Sequence, residues 1–219
     1  MVMMKQVTAL VMLLIGFTSA RAQQYRMNYD ESTIPELYFT TKVFLEEKHG
    51  SEYEPVRGKY RFSTPDVSTR GNQITYTPEE LQRLEGKVNF RVEVRGEELN
   101  LPLTLPVLTD IRFNLYTDSI KPVLNYFVNV EGIYSSGRIF PLTAEQITLT
   151  SDQGTMNGME WLLPKERPFE KVTFTATSRS NSAIRKSVTL YLNKYKDPRD
   201  AEGYEERKAP DDLPVRRRR

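Results

Sequence analysis

The sequence predicts an all-β protein made of two tandem antiparallel β-sandwiches. Two observations support this prediction: apolar and polar residues alternate along several short runs, and one of these runs occurs twice. A period of two with one wet face is typical of antiparallel sheets that pack on a core. Turn signals separate the runs, and they lie at 49–50, 71–72, 136–137, 152–154 and 157–158.

The individual strands follow from the alternation in chain order. In the first strand, the apolar residues from Val88 to Val94 share one face and polar residues occupy the other. The same alternation indicates further strands at 111–115, 124–130, 172–176 and 188–192. Short runs of this kind, with turns between them, favour sandwiches over α/β domains.

Two short segments have helix signals instead. In TPEELQRL at 77–84, Thr77 stands at an N-cap position and Glu80 at the capping-box position. LTAEQI at 142–147 repeats the pattern from Thr143 onward. We expect one or two helical turns at 77–84 and a single turn at 142–147, both too short to house a site.

The sequence pattern of one strand occurs twice in the chain. GKVNFRVEV at 86–94 has nearly the same outline as EKVTFTATS at 170–178, and their Lys-Val pairs are 84 residues apart. An aspartate precedes each strand, at Asp66 and Asp152, with an offset of 86 residues.

A large aromatic residue also precedes each copy, and Tyr76 and Trp161 are 85 residues apart. A steady offset near 85 is close to the roughly 100 residues of one sandwich domain. Two tandem sandwiches are therefore the preferred architecture, and one larger sandwich or barrel is the alternative.

The segment ITLTSDQGTMNGMEWLLPKERPFEKVTFTATS at 147–178 resembles the second half of bacterial immunoglobulin-like domains. The resemblance implies immunoglobulin-like sandwiches, which we place near 33–107 and 108–195. The segment NLPLTLPVLTD at 100–110, with Pro102 and Pro106, is expected to be a stiff connector. The cysteine pair of antibody domains and a cadherin-type calcium motif are both absent from the sequence. Such domains serve many purposes, so the resemblance does not choose a function.

Residues 1–22 have the features of a cleaved signal peptide: an early Lys5, an apolar run at 7–17 and the small-x-small motif at 20–22. The run of about 11 apolar residues is short of the roughly 20 that span a bilayer. The junction resembles the signal peptides of Bacteroidota. We expect export in a two-membrane bacterium, a mature chain from Gln23 with no transmembrane span, and a periplasmic, outer-membrane-associated or extracellular location. A retained anchor is the alternative.

Composition excludes several classes of function. The chain has 31 Lys and Arg against 29 Asp and Glu, and removal of Lys5 and Arg21 leaves it with no net charge. A neutral chain lacks the cationic excess typical of nucleic-acid-binding proteins. The absence of cysteine excludes thiol catalysis, iron–sulfur clusters and cysteine-based zinc sites.

Residues that could support catalysis are few. His49 is the only histidine, and a nucleophilic reading would pair it with Ser51 and with Glu47 or Glu52. Sequence neighbours on a turn seldom adopt triad geometry, and no nucleophile-elbow or phosphate-loop motif is present. We therefore predict no enzyme activity, no catalytic residues, no cofactor and no metal site.

Two segments are candidates for binding. Trp161 could stack on a sugar, although a core tryptophan between two sheets is the preferred interpretation. The tail at 196–219 is dense in charge and has no apolar period, which predicts a disordered segment. Its last residues, Arg216, Arg217, Arg218 and Arg219, could dock on an anionic envelope component, and a solvated tail is the alternative.

The leading functional prediction is a non-catalytic exported scaffold or interaction protein of the envelope or the secreted fraction. It implies an envelope protein partner and no nucleic acid. A carbohydrate-binding accessory protein is the first alternative, and a small hydrolase is the second.

Overall fold

The computed structural model describes residues 24–115, 117, 119–120, 125–164 and 169–192. In the N-terminal half (24–107), the strands are β1 (Tyr25–Tyr29), β2 (Thr40–His49), β3 (Glu52–Pro55), β4 (Tyr60–Ser63), β5 (Ser68–Arg70), β6 (Gln73–Thr75), β7 (Lys87–Val94) and β8 (Glu97–Thr104). In the C-terminal half (108–192), they are β9 (Leu108–Phe113), β10 (Ser119–Ile120), β11 (Tyr126–Phe127), β12 (Val130–Tyr134), β13 (Ile139–Pro141), β14 (Ile147–Ser151), β15 (Thr155–Asn157), β16 (Glu160–Leu162), β17 (Lys171–Ser178) and β18 (Arg185–Leu192).

Helices are few and short. A 3-10 turn spans Glu31–Thr33, α1 spans Pro35–Tyr38 and α2 spans Pro78–Arg83. The predicted all-β class is confirmed. So is the helix at 77–84, where the Thr77 hydroxyl accepts from the Glu80 N–H at 3.1 Å and the Glu80 carboxylate accepts from the Thr77 N–H at 2.8 Å.

Both halves share most of one pattern of strand pairing, with β11 and β12 together in the place of β2. In the N-terminal half the antiparallel pairs are β1–β2, β2–β3, β2–β6, β5–β6, β4–β7 and β7–β8. In the C-terminal half the corresponding pairs are β9–β12, β12–β13, β11–β16, β15–β16, β14–β17 and β17–β18. The duplicated strand predicted from the sequence is thus β7 in one half and β17 in the other, each between two neighbours.

A repeated hydrogen bond supports the same correspondence. The Asp66 carboxylate accepts from the Asn89 N–H at 2.8 Å, and the Asp152 carboxylate accepts from the Thr173 N–H at 2.7 Å. Asp66 follows the last residue of β4 that pairs with β7, and Asp152 follows the last residue of β14 that pairs with β17. Each aspartate side chain therefore accepts from a backbone N–H of the duplicated strand just past the end of the strand pairing.

The predicted aromatic correspondence is wrong by two residues. Ile74 faces Thr69 in one hairpin and Trp161 faces Met156 in the other, so the strand register equates Trp161 with Ile74 and not with Tyr76. A shift of two residues along a strand leaves a side chain on the same face. The sequence pattern could not detect it, since Ile74 and Tyr76 are both buried.

The buried apolar residues other than Tyr134 form two clusters, one from Tyr25 to Leu105 and one from Ile111 to Leu190. Phe90 lies in the first cluster and Phe174 in the second, both at most 1% exposed. Strand β1 contributes to the first cluster although it precedes residue 33, where the first domain was predicted to begin. The predicted domain boundaries stay a prediction.

Two local predictions are corrected by the structure. Most of the predicted connector at 100–110 is strand, because β8 runs to Thr104 and β9 begins at Leu108. Pro102 is tolerated in β8 because that strand lies at the edge of its sheet. The strand expected at 124–130 is divided into β11 and β12, which pair with different sheets.

One ladder among the described residues, β10 with β18, is parallel. No helix in the described ranges is long and apolar enough to cross a membrane. The predicted signal peptide at 1–22, the mature start at Gln23, and the tail with Arg216 to Arg219 lie outside the described residues.

Candidate functional site

The loop between β1 and β2 carries a strained turn. Proline at the first position favours the single helical turn of α1, since its fixed φ suits a helix start. The residues on either side, Ile34 and Phe39, have left-handed backbones with φ of 47° and 51°. Such a conformation is unusual for a β-branched residue, and strain of this kind concentrates at functional sites.

This turn places Glu36 in the interior. Its side chain is fully buried, with 0% of its surface exposed. One carboxylate oxygen, Oε1, accepts a hydrogen bond from the Ser136 hydroxyl at 2.8 Å. The other oxygen, Oε2, has no hydrogen-bond partner. A buried carboxylate with a free oxygen is costly, so the surrounding structure must hold it in place.

Ser136 and Arg138 belong to the turn between β12 and β13 and reach across from the C-terminal half. Arg138 Nη2 lies 2.9 Å from a Glu31 carboxylate oxygen, and its Nη1 donates to the Glu31 carbonyl at 3.3 Å. Arg138 Nη1 is 3.7 Å from Glu36 Oε2, beyond hydrogen-bond distance. We refer to Glu31, Glu36, Ser136 and Arg138 as the clasp.

The same turn is tied to the short link between the halves. The Val107 N–H donates to the Ser135 hydroxyl at 3.1 Å, and the Ser135 N–H donates to the Val107 carbonyl at 2.8 Å. These two bonds and the clasp lie close together, and the clasp connects the N-terminal half to the C-terminal half.

Beside the clasp, residues of both halves enclose a cavity of about 310 Å³, which we call the inter-half cavity. This volume is at the lower end for small-molecule sites. Apolar side chains form much of its wall, including Phe39, Leu81, Leu108 and Leu142. Its charged lining residues are Glu36, Glu79 and Glu145, and no lysine or arginine is among the described residues that line it.

Tyrosines surround the buried carboxylate. Burial raises the pKa of Tyr134 to about 12, and the negative charge of Glu36 acts in the same direction. Burial also raises the pKa of Tyr76 far above its usual range, with a further contribution from Glu36. The Tyr76 hydroxyl donates to the Pro35 carbonyl at 3.2 Å, and this hydrogen bond helps to hold the strained turn.

A second polar cluster lies at the far end of β2. Arg95, in the turn between β7 and β8, binds Glu47 through two contacts of 2.8 Å, and Tyr25 donates to the same carboxylate at 3.2 Å. The hydrogen bond from Arg95 holds the pKa of Glu47 below its usual range. His49 Nε2 is 3.9 Å from Glu47, whose oxygens already have these donors. The cluster is a satisfied structural network.

The two binding candidates from the sequence have different outcomes. Trp161 is fully buried, its indole N–H donates to the Gln153 carbonyl at 2.6 Å, and its ring packs edge-on against Phe174 at 5.7 Å. A sugar could not stack on it in this structure. A side chain at Gly154 would clash with the indole at 2.5 Å, so the glycine permits the close approach. Arg216, Arg217, Arg218 and Arg219 lie outside the described residues.

Sequence reasoning missed the residues of the clasp. Glu36 and Ser136 are 100 residues apart, and only the fold brings them together. The one local signal was Pro35 in TIPELY, which interrupts the alternation and could have indicated a turn. Residues of the two segments with helix signals, at 77–82 and 145–146, line the inter-half cavity, and the expectation that these segments house no site stays a prediction.

Comparison with known proteins adds little. No protein-family model and no curated protein match this sequence. Among solved structures, the chain is similar to the crystal structure of the S-layer protein SbsC domains 4 and 5, with 18% sequence identity over 70% of this chain and 82% of that chain. The TM-score is 0.28, and a likeness at this level carries no argument about fold or function.

Proposed function

We propose that the protein is a non-catalytic exported scaffold, a tandem of immunoglobulin-like sandwiches that presents one composite surface to an envelope protein partner. The observation that supports this function is the clasp. It joins residues of the two halves by contacts of 2.8 Å and 2.9 Å across about 100 positions of sequence.

A fixed arrangement of two sandwiches is useful for recognition. If the halves moved independently, a partner that contacts both would have to order them on binding, and that ordering would lower its affinity. The clasp provides the order in advance. It does so with the carboxylates of Glu31 and Glu36, the Ser136 hydroxyl and the Arg138 guanidinium.

Export is part of the proposal. It is supported by the cleavable signal peptide that the sequence predicts at 1–22. A chain without cysteine that folds through two packed cores does not depend on the redox state of its compartment.

The experiment is a quantitative capture of envelope proteins on the immobilised mature chain. The test variant is Arg138→Met, which removes the clasp cation and keeps much of the apolar volume. The matched control is Arg91→Met, whose ion pair with Glu98 is exposed on both sides and lies outside the clasp. We expect one envelope protein to be captured by the wild type and the control, and much less of it by Arg138→Met.

Equal capture by all three proteins would contradict a surface composed from both halves. Capture of no envelope protein, together with binding on a glycan array, would instead favour the carbohydrate-binding alternative.

A further inference from the structure

We propose that the inter-half cavity is the docking point for one aromatic side chain of the partner protein, and that lysine or arginine residues beside this side chain pair with the acidic rim of the cavity. The inference rests on the proposed scaffold function and names the chemistry by which the partner is recognised. Three features of the cavity lead to it: its apolar walls, the charge at its rim, and one buried hydroxyl group.

The walls of the cavity are apolar and come from both halves. Phe39 and Leu81 belong to the N-terminal half, and Leu108 and Leu142 belong to the C-terminal half. The volume of about 310 Å³ equals that of about ten water molecules at roughly 30 Å³ each, which suits one aromatic side chain. Partners often bind through aromatic anchors that fill such pockets, and an anchor here contacts both halves at once.

The rim of the cavity is acidic. Glu79 in α2 and Glu145 in the turn before β14 line the cavity and are exposed. Neither carboxylate has an ion pair with a described residue, and the described lining residues include no lysine or arginine. Complementary charge at the edge of an interface selects the partner. The rim therefore favours a segment in which cationic side chains flank the aromatic anchor.

The cavity wall also carries a polar group that the fold does not use. Tyr134 lines the cavity and is 6% exposed, and its hydroxyl has no hydrogen-bond partner among the described residues. Native structures rarely leave a buried polar group unpaired, so we expect a polar atom of the occupant to complete it. Tryptophan carries such a donor, the indole N–H, on an aromatic ring. Glu36 takes no part, since its side chain is fully buried and already faces Arg138.

Other occupants fit less well. A leucine or valine anchor fills less of the volume and has no polar atom for Tyr134. Acidic residues beside the anchor are repelled by Glu79 and Glu145. The tail at 196–219 has Leu213 and Val215 next to its four arginines, but no aromatic residue among them.

The probe is the pentapeptide Gly-Lys-Trp-Lys-Gly, blocked at both ends and titrated calorimetrically into the full mature chain. Gly-Lys-Ala-Lys-Gly lacks the anchor, and Gly-Glu-Trp-Glu-Gly reverses the flanking charge. We expect saturable binding of the first peptide and at least about tenfold weaker binding of the other two, because anchor truncation and like-charge contacts have effects of this size. This comparison uses the wild type and does not require any variant to fold.

Gln82→Trp is the variant that tests the cavity, because Gln82 lines it from α2 and an indole at this position would occupy it. Gln73→Trp is the matched control, since Gln73 is exposed on β6 and is not a lining residue. We expect Gln82→Trp to bind Gly-Lys-Trp-Lys-Gly at least about tenfold more weakly, and Gln73→Trp to bind it as the wild type does.

A double variant, Glu79→Gln with Glu145→Gln, tests the rim. We expect it to bind the same peptide about twofold to tenfold more weakly and to lose most of the salt dependence of binding, since exposed charge pairs are individually weak and are screened by salt. Glu98→Gln is the control, because Glu98 is exposed and lies outside the cavity.

Four results would overturn the proposal. They are no saturable binding of Gly-Lys-Trp-Lys-Gly to the wild type at millimolar concentration, equal affinity for the alanine peptide, unchanged affinity in a folded Gln82→Trp variant, and binding that appears only after 196–219 are deleted. The last result would assign the cavity to the tail of this chain.

Capture of the envelope protein separates this inference from the scaffold function. If Gln82→Trp captures it as the wild type does, the cavity is not the docking point and the scaffold function stands. If the wild type captures no envelope protein, the scaffold function itself is contradicted.

Discussion

At the scale of single residues, Glu36 is unfavourable for the stability of the fold, because it places a carboxylate at a buried position. A well-packed apolar residue at a buried position usually gives at least as much stability as a charged one. Here the charge is fully buried, one of its oxygens is unpaired, and the flanking Ile34 and Phe39 have left-handed backbones. The Ser136 hydroxyl and the Arg138 guanidinium, 3.7 Å from the unpaired oxygen, are the groups that offset this cost.

Tyr134 gives the first prediction, on alkaline stability. Its pKa is raised to about 12 in the folded state against 10.0 when unperturbed, because burial and Glu36 disfavour the phenolate. The stabilisation is complete below pH 10 and is lost as the pH rises toward 12. Between pH 10 and pH 12 the wild type should therefore lose more unfolding free energy than Tyr134→Phe does, and the difference should be of order 1–3 kcal/mol.

Urea unfolding at a series of pH values from 8 upward measures this slope. Tyr191→Phe is the control, since Tyr191 is 62% exposed and its hydroxyl stays in contact with solvent. Equal slopes for Tyr134→Phe and the wild type would show that Tyr134 does not titrate as its burial requires.

At the scale of elements, the repeated aspartate bond gives the second prediction. Asp66 and Asp152 each accept from the backbone of the duplicated strand, at 2.8 Å and 2.7 Å. Since the two bonds are equivalent, Asp66→Ala and Asp152→Ala should each lower the unfolding free energy by about 1–2 kcal/mol. The Asn variants keep an acceptor and should lose less.

Chemical denaturation of the four variants measures these losses. A large effect at one aspartate and none at the other would contradict the structural equivalence of the two positions, even though the surrounding strand pairing is the same.

The elements that the sequence predicted best are those with local causes. Strand β7 alternates strictly between buried and exposed residues because its period is two, and the α2 cap follows from Thr77 and Glu80 alone. The pairing of β10 with β18 and the division of 124–130 depend on distant strands. No pattern within a single segment contains that information.

The candidate site was harder to predict for a similar reason. Glu36 is one of 29 acidic residues, and the adjacent Pro35 indicates a turn but not a buried carboxylate. It stands out only through its burial and its contacts with Ser136 and Arg138, which belong to the C-terminal half. Trp161 stood out in the sequence because tryptophan is rare there, yet rarity gives no information on exposure.

At the scale of the whole molecule, two separate clusters of buried residues give the third prediction. Phe90 and Phe174 are the large rings at matching positions of β7 and β17. Truncation of either to alanine should lower stability by roughly 3–5 kcal/mol. If each cluster unfolds as its own unit, each variant should shift one of two calorimetric transitions and leave the other in place.

A single transition that both variants lower would contradict this expectation and indicate one shared cooperative unit. That outcome would favour the larger sandwich or barrel that the sequence left open as the alternative.

The last prediction concerns the clasp as a determinant of the arrangement of the halves. The two cores are separate, so the relative position of the halves depends on the link near Val107, the clasp and the contacts around the inter-half cavity. Arg138 contributes the charged part of these contacts through Glu31 and Glu36. Its removal should widen the distribution of distances between the halves without unfolding either one.

The absence of cysteine permits a direct measurement with two introduced cysteines, Thr69→Cys and Thr148→Cys, one on an exposed strand position of each half. Spin labels at these positions should give one narrow distance distribution in the otherwise wild-type chain and in Arg91→Met. The distribution should broaden in Arg138→Met, since the link at Val107 then holds the halves with less help. A distribution that stays equally narrow would mean that the link and the cavity walls fix the arrangement by themselves, and the composite surface would then be independent of the clasp.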